Sequence, residues 1–139
     1  MRDACGVLDL PGFSRFMVEG AGAAEWLRGQ VTGGIPKVGR IGLGYFADDR
    51  GRIVTEMTLM RLEDDKFMLI TAATAELHDR EWLERSKPES VSLRDMTEAF
   101  SCQIVTGPKS RDVLADMGVP ADVLAAPWLN HHSIQINEV

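Results

Sequence analysis

Arg52-Ile53-Val54-Thr55-Glu56-Met57-Thr58-Leu59-Met60-Arg61-Leu62 is the stretch on which the fold turns. Its branched and apolar residues favour extended backbone. A period of two then places Ile53, Thr55, Met57 and Leu59 on one face and Val54, Glu56, Thr58, Met60 and Leu62 on the other. Both faces are largely apolar, the pattern of a strand covered on both sides. Glu56 is then a carboxylate among apolar neighbours, where desolvation favours the neutral form and suits a proton handler or a ligand anchor. The alternative is a face open to water at that point, with Glu56 simply solvated, because glutamate is almost never buried unpaired. Periodicity leaves both readings open.

Working outward, Asp48-Asp49-Arg50-Gly51 and Glu63-Asp64-Asp65 carry turn chemistry on either side of this strand. Residues 41–47 and Phe67-Met68-Leu69-Ile70 supply its neighbours, so the centre reads as a meander of three antiparallel strands. Upstream, Val7-Leu8-Asp9 is extended and Phe13 to Val18 reads as a strand. Ala23, Trp26, Leu27 and Val31 form one apolar stripe on a helix that Gly33, Gly34 and Pro36 stop. Downstream, Thr74 to Arg85 is helical with Ala75, Trp82 and Leu83 inward. Val91-Ser92-Leu93 and Ser101 to Val105 read as strands, and Thr106-Gly107-Pro108 leads into a helix carrying Val113, Leu114 and Met117. Ile134-Gln135-Ile136-Asn137 reads as a strand without a visible partner. This order predicts an α+β fold, an antiparallel sheet with helices packed on one face, followed by the start of a second α+β subdomain. The expected division falls at residues 1–97 and 98–139.

The chain has 139 residues, 45% hydrophobic and 26% charged, enough for one domain, or one and a piece, with a core that needs no staples. Lys and Arg total 15 against 21 Asp and Glu, a net charge of −6, and the basic residues are scattered, so nothing favours nucleic acid or an anionic membrane as partner. Cys5 and Cys102 stand alone and far apart, which predicts packing thiols rather than a metal knuckle or a disulfide framework. No apolar run approaches the ~20 residues of a membrane span, and the N-terminus is no signal peptide. A reducing cytoplasm is the expected compartment.

Other residues invite chemical readings and are better read as structural. Gly39-Arg40-Ile41-Gly42-Leu43-Gly44 lacks the spacing of a phosphate-binding loop and leads into a strand, where glycines relieve crowding or allow a kink. His78-Asp79 lies in a charged helical segment and reads as an exposed pair. His131-His132, being adjacent, point apart on a strand and are wrong for two ligands of one metal; no metal site is expected. The methionines read as adaptable packing.

The stretch Arg2-Asp3-Ala4-Cys5-Gly6-Val7-Leu8-Asp9-Leu10 resembles the Arg-x-x-x-Gly-hydrophobic-hydrophobic-Asp signature of the aminomethyltransferase family, the glycine cleavage T-protein and its relatives. Three further stretches match in order. Ala21 to Val31 is similar to the family's first helix, with the pair Trp26-Leu27. Gly51 to Leu59 is similar to its glycine-led strand, and Ile104-Val105-Thr106-Gly107-Pro108 to its hydrophobic-Gln-Gly-Pro turn. Gly39 to Leu43 and His78 to Leu83 resemble the folate-binding domain of FAD-dependent dimethylglycine and sarcosine dehydrogenases in particular.

The resemblance implies tetrahydrofolate-dependent transfer of a one-carbon unit derived from a methylated amine. FAD would reside only in a separate oxidoreductase domain or subunit acting as partner. Within the family, the carboxylate that orients the folate nitrogens maps onto Glu56, which is thereby the expected catalytic residue. Phe13, Leu43, Tyr45 and Thr71 are the expected cofactor-binding positions. Two departures stand out: the family's Asp is here Glu56, one methylene longer, and its pterin-facing Tyr is here Leu43, with Tyr45 two residues on and on the same strand face. The stretch present corresponds to about the first third of the family domain, so a complete active site is not expected. The alternative is a non-catalytic module that keeps the family fold as a subunit or interdomain interface. A family demethylase acting on a sulfonium substrate, and a homo-oligomer, also stay open.

Overall fold

The computed structural model describes residues 1–136. The chain divides into two compact units, Gly12–Phe100 and Met1–Pro11 together with the chain from Ser101 onward.

In the Gly12–Phe100 unit the expected meander is present as β4 (Ile41–Ala47), β5 (Ile53–Glu63) and β6 (Lys66–Ala72). β2 (Phe13–Glu19) pairs with the outer edge of β6, β7 (Ser92–Asp95) with β2, and the two-residue β3 (Val31–Thr32) with β4. The result is one six-stranded antiparallel sheet in the order β3-β4-β5-β6-β2-β7. Phe46, Met57, Leu59, Phe67, Leu69, Phe16 and Val18 point to one face. There they form a core with Ala23, Trp26 and Leu27 of α1 (Ala23–Gln30) and Leu83 of α2 (Glu76–Ser86). Helices thus cover one face of an antiparallel sheet, the α+β arrangement the sequence predicts.

Local chemistry explains the connections. Asp48 closes the β4–β5 turn: its Oδ1 accepts the backbone N–H groups of Arg50 and Arg52 at 2.9 Å each, and Gly51 takes φ 74°. Gly44 lets two layers meet, because a Cβ there would lie 2.4 Å from Leu59 Cδ1 and 3.1 Å from Val31 Cγ1. The first turn of α1 begins at a left-handed Gly22 that has no capping side chain of its own. Its cap comes from the β5–β6 turn, where the Asp65 carboxylate accepts the N–H groups of Gly22 at 3.3 Å and Ala24 at 2.8 Å. These two bonds hold the Asp65 carboxyl below the usual carboxylate range.

α2 starts later than propensity predicts, after a single 3-10 turn over Ala73–Ala75. Leu83 is buried as expected, and so is Asp79, which corrects the reading of His78-Asp79 as an exposed pair. Only His78 is exposed. Helical periodicity explains the error: Asp79 and Leu83 lie four residues apart, on the same inward face.

In the other unit β1 (Gly6–Asp9) pairs antiparallel with β8 (Gln103–Thr106), followed by α3 (Ser110–Asp116) and α4 (Ala121–Leu124). The first eleven residues therefore associate with the C-terminal part of the chain, which local reading does not anticipate. Val113 of α3 and Met117 just after it are exposed, and Val119 is the one buried hydrophobic residue among the described residues of this unit. Ser133–Ile136 forms no strand, and Asn137 lies outside the described residues. Among the described residues no helix is long and apolar enough to cross a membrane.

Candidate functional site

The sheet's second face is built by the strand positions that alternate with the core. Cross-strand partners share a face, so the register defines rows across it. One row runs Leu43, Thr58, Ile70, Arg15, and the next Ile41, Met60, Met68, Met17. On the other side of the Leu43 row, Tyr45 is the direct partner of Glu56, and Phe13 is the partner of Ala72. Arg15 and Met17 are buried at the β2 end, where the Arg15 guanidinium donates to the Thr97 carbonyl at 3.2 Å. Towards β4 and β5 the face is open, with Leu43 53% exposed and Tyr45 37%, and it is open again at the first residue of β2, where Phe13 is 37% exposed.

Glu56 is exposed, so of its two expected environments the solvated one holds. It is not without a partner. Tyr45 is its direct cross-strand partner, and the Glu56 charge beside the phenol raises it above its ordinary 10.0. The pair ends an apolar floor of Leu43, Ile70, Met60 and Met68. Such a surface accepts a flat, partly apolar ring whose edge presents N–H donors to a carboxylate, with sulfur and aliphatic groups beneath the ring.

Four of the five expected site residues, Phe13, Leu43, Tyr45 and Glu56, therefore share the open face. The side chain of Thr71 lies on the other. It is 3% exposed and donates to Asp79 Oδ2 at 2.5 Å, while Asp79 Oδ1 is 2.9 Å from His78 Nδ1. Its cross-strand partner Ser14, fully buried, donates to the Glu76 carboxylate. Two hydroxyls on neighbouring strands thus meet two carboxylates three residues apart on α2. This clamp fixes the helix beneath the strand ends that present Phe13 and Ala72. Sequence reading missed it, although Ser14 and Thr71 at core positions of otherwise apolar strands, with Glu76 and Asp79 at helical spacing, were a legible signal. Among the described residues no group of three or more His, Cys, Asp or Glu is arranged to hold a metal.

The sequence matches the family described as GCVT N-terminal domain over residues 1–139. It is 33% identical to mitochondrial dimethylglycine dehydrogenase of Mus musculus over 112 residues, covering 78% of this chain and 13% of that protein. It is 34% identical to sarcosine oxidase subunit alpha of Corynebacterium sp. (strain U-96) over 132 residues, 88% of this chain and 14% of that one. With the aminomethyltransferase of Mycolicibacterium paratuberculosis it shares 26% identity over 124 residues, 88% of this chain and 34% of the relative. A crystal structure of glycine cleavage system aminomethyltransferase T from Bartonella henselae superposes with a TM-score of 0.71 at 25% identity, covering 87% of this chain and 34% of that one. The chain thus spans 13–14% of these two oxidoreductases and 34% of the two aminomethyltransferases.

Proposed function

The chain belongs to the aminomethyltransferase family as a GCVT N-terminal domain related to dimethylglycine dehydrogenase and sarcosine oxidase, and from that premise we propose that its open sheet face forms part of a tetrahydrofolate site serving one-carbon transfer. The observation that carries this reading is the Tyr45–Glu56 pair at the end of the apolar floor, on the carboxylate that the family resemblance singles out. The residues present fit a reduced pterin: a hydrophobic floor, an aromatic edge at Phe13 and one carboxylate for N–H donors. When bound, the folate would supply the nitrogens that capture the one-carbon unit.

In this reading Glu56 accepts hydrogen bonds from the ring and orients it. Tyr45 holds the Glu56 carboxylate by donating to it, a role that the longer Glu in place of Asp makes useful. Leu43 and Phe13 bound the ring on its apolar sides. Thr71 contributes indirectly, by anchoring α2 under the strand that carries Ile70 and Ala72. The one-carbon unit would come from a methylated amine oxidised by a flavin-dependent domain or subunit, since relatives several times longer than this chain bear the names of amine-oxidising enzymes. We place the protein in a reducing compartment, the cytoplasm, where Cys5 and Cys102 stay thiols.

The test is a titration of tetrahydrofolate against the chain, followed by tryptophan fluorescence and calorimetry, with Glu56→Gln alongside. Saturable binding that Glu56→Gln weakens tenfold or more, about 1.4 kcal/mol, is the expected result. Absence of binding, or binding indifferent to Glu56, would overturn the reading and favour a module that keeps the fold for an interface.

A further inference from the structure

Trp26 and Trp82 belong to the two helices of the Gly12–Phe100 unit, and they treat their indole N–H groups differently. Trp26 Nε1 donates to Ser86 Oγ at 3.3 Å. Trp82 packs against the core, yet its Nε1 is buried without a hydrogen-bond partner, the one such side-chain atom among the described residues. A buried donor left without an acceptor carries its full desolvation penalty, and folded proteins keep few of them. The residue that carries this N–H is also a wall of a hollow of about 300 Å³ in the helix layer. The last turn of α1 brings Gly29 and Gln30 to it, the β4–β5 turn brings Asp49, and the last turn of α2 brings Arg85 and Ser86.

The lining carries one charge of each sign. Asp48 spends its carboxylate on closing the turn, whereas the Asp49 carboxylate has no hydrogen bond or ion pair among the described residues. Arg85 has one partner, Glu81, at 3.9 Å, and with side chains 75% and 59% exposed that contact holds the guanidinium weakly. Asp49 and Arg85 come from different elements and form no ion pair with each other. The C-terminal end of α1 adds partial negative charge through the carbonyls of its last turn. An anion alone would meet Asp49 and the end of α1, and a cation alone would meet Arg85 and leave the Trp82 N–H unpaired. A ligand carrying both signs finds an opposite for each: Trp82 Nε1 and Arg85 for a carboxylate, Asp49 and the end of α1 for an ammonium. The volume lies at the lower end of ligand pockets, which limits that ligand to a few atoms.

We propose that this hollow binds a small amino acid in its zwitterionic form, the carboxylate accepting from Trp82 Nε1 and Arg85 and the ammonium donating to Asp49. The site lies among the helix ends, while Glu56 and Tyr45 stand on the sheet's open face, so it holds or fails independently of the folate reading. A ligand gripped by α1, α2 and the β4–β5 turn at once ties two helix ends to the sheet, and its binding stabilises the Gly12–Phe100 unit by mass action.

The experiment is an NMR titration of the isotopically labelled chain with L-alanine, reading the indole N–H signals, with Trp82→Phe to assign the one that matters. Acetate and ethylammonium, each one half of the zwitterion, and sodium chloride are titrated alongside. The expected result is a saturable shift of the Trp82 indole signal with a Kd on the order of 1 mM, the scale for a ligand of this size. Arg85→Gln and Asp49→Asn should each weaken it about tenfold, the scale of one charge-assisted hydrogen bond. Neither half-ligand nor chloride should give a saturable shift in the same range. Asp49 and Arg85 are both exposed, so the two variants keep the wild-type spectrum elsewhere. A Trp82 signal that alanine leaves in place would show a hollow filled by water alone and overturn the proposal. A shift that acetate produces as strongly as alanine, or alanine binding indifferent to both substitutions, would overturn it as well.

Discussion

Glu56 and Tyr45 show what one cross-strand contact does to each member. The carboxylate on β5 makes loss of the phenol proton on β4 harder, chiefly by its charge. A group whose folded value lies above its unfolded one contributes stability that is complete below the unfolded value, here about 10.0, and that fades as pH rises through the folded one. Tyr45 is the single tyrosine of the chain, so phenolate absorbance in an alkaline titration reports it alone. We expect a midpoint above 10.0 in the wild type and a shift back toward it in Glu56→Gln; an unmoved midpoint would mean that the pair does not form in solution. At this scale the sequence was partly legible. Strand parity separated Glu56 from Met57 and Leu59 and put Leu43 and Tyr45 together, because a period of two needs no long-range information. It could not say whether the face near Glu56 is covered, since that depends on segments remote in the chain. Nor could it give Thr71 its partner, which comes from a helix whose inward face was misjudged at Asp79.

Among elements, the meander was the most legible part, since turn chemistry at Asp48–Gly51 and Glu63–Asp65 brackets the long apolar strand. The cap on α1 was not, because the carboxylate of Asp65 reaches it from a turn more than forty residues later. Gly44 belongs to this scale as well. It is the point where β4 passes over Leu59 and β3, which is why a small residue stands in the middle of a strand. Gly44→Ala should destabilise the sheet by ~1–3 kcal/mol through overpacking, because Leu59 is buried and has nowhere to move. Urea unfolding of Gly44→Ala, Leu59→Ala and the double variant checks it. The glycine substitution should cost measurably less when Leu59 is already truncated, and strict additivity would show that the two side chains do not compete for one space.

For the whole molecule, buried apolar residues are unevenly shared. The cluster around Phe16, Leu27, Met57 and Leu69 belongs entirely to Gly12–Phe100, while Val119 is the one buried hydrophobic residue described in the other unit. Amide exchange should follow this division. Slow exchange is expected for β2, β4, β5 and β6, and fast exchange for α3, α4 and the β1–β8 ribbon. Comparable protection in both would show that the ribbon unit has support which its own side chains do not provide. The sequence could not reveal this division, because β1 finds its partner only after roughly ninety intervening residues. That distance also orders events in time. As the chain leaves the ribosome, Gly6–Asp9 emerges first but stays unpaired until Gln103–Thr106 has followed, whereas the meander between them can close as soon as its own turns are out. This segment is thus made long before its partner and is among the last to find its place, and while it waits Val7 and Leu8 are exposed surface that a chaperone can hold.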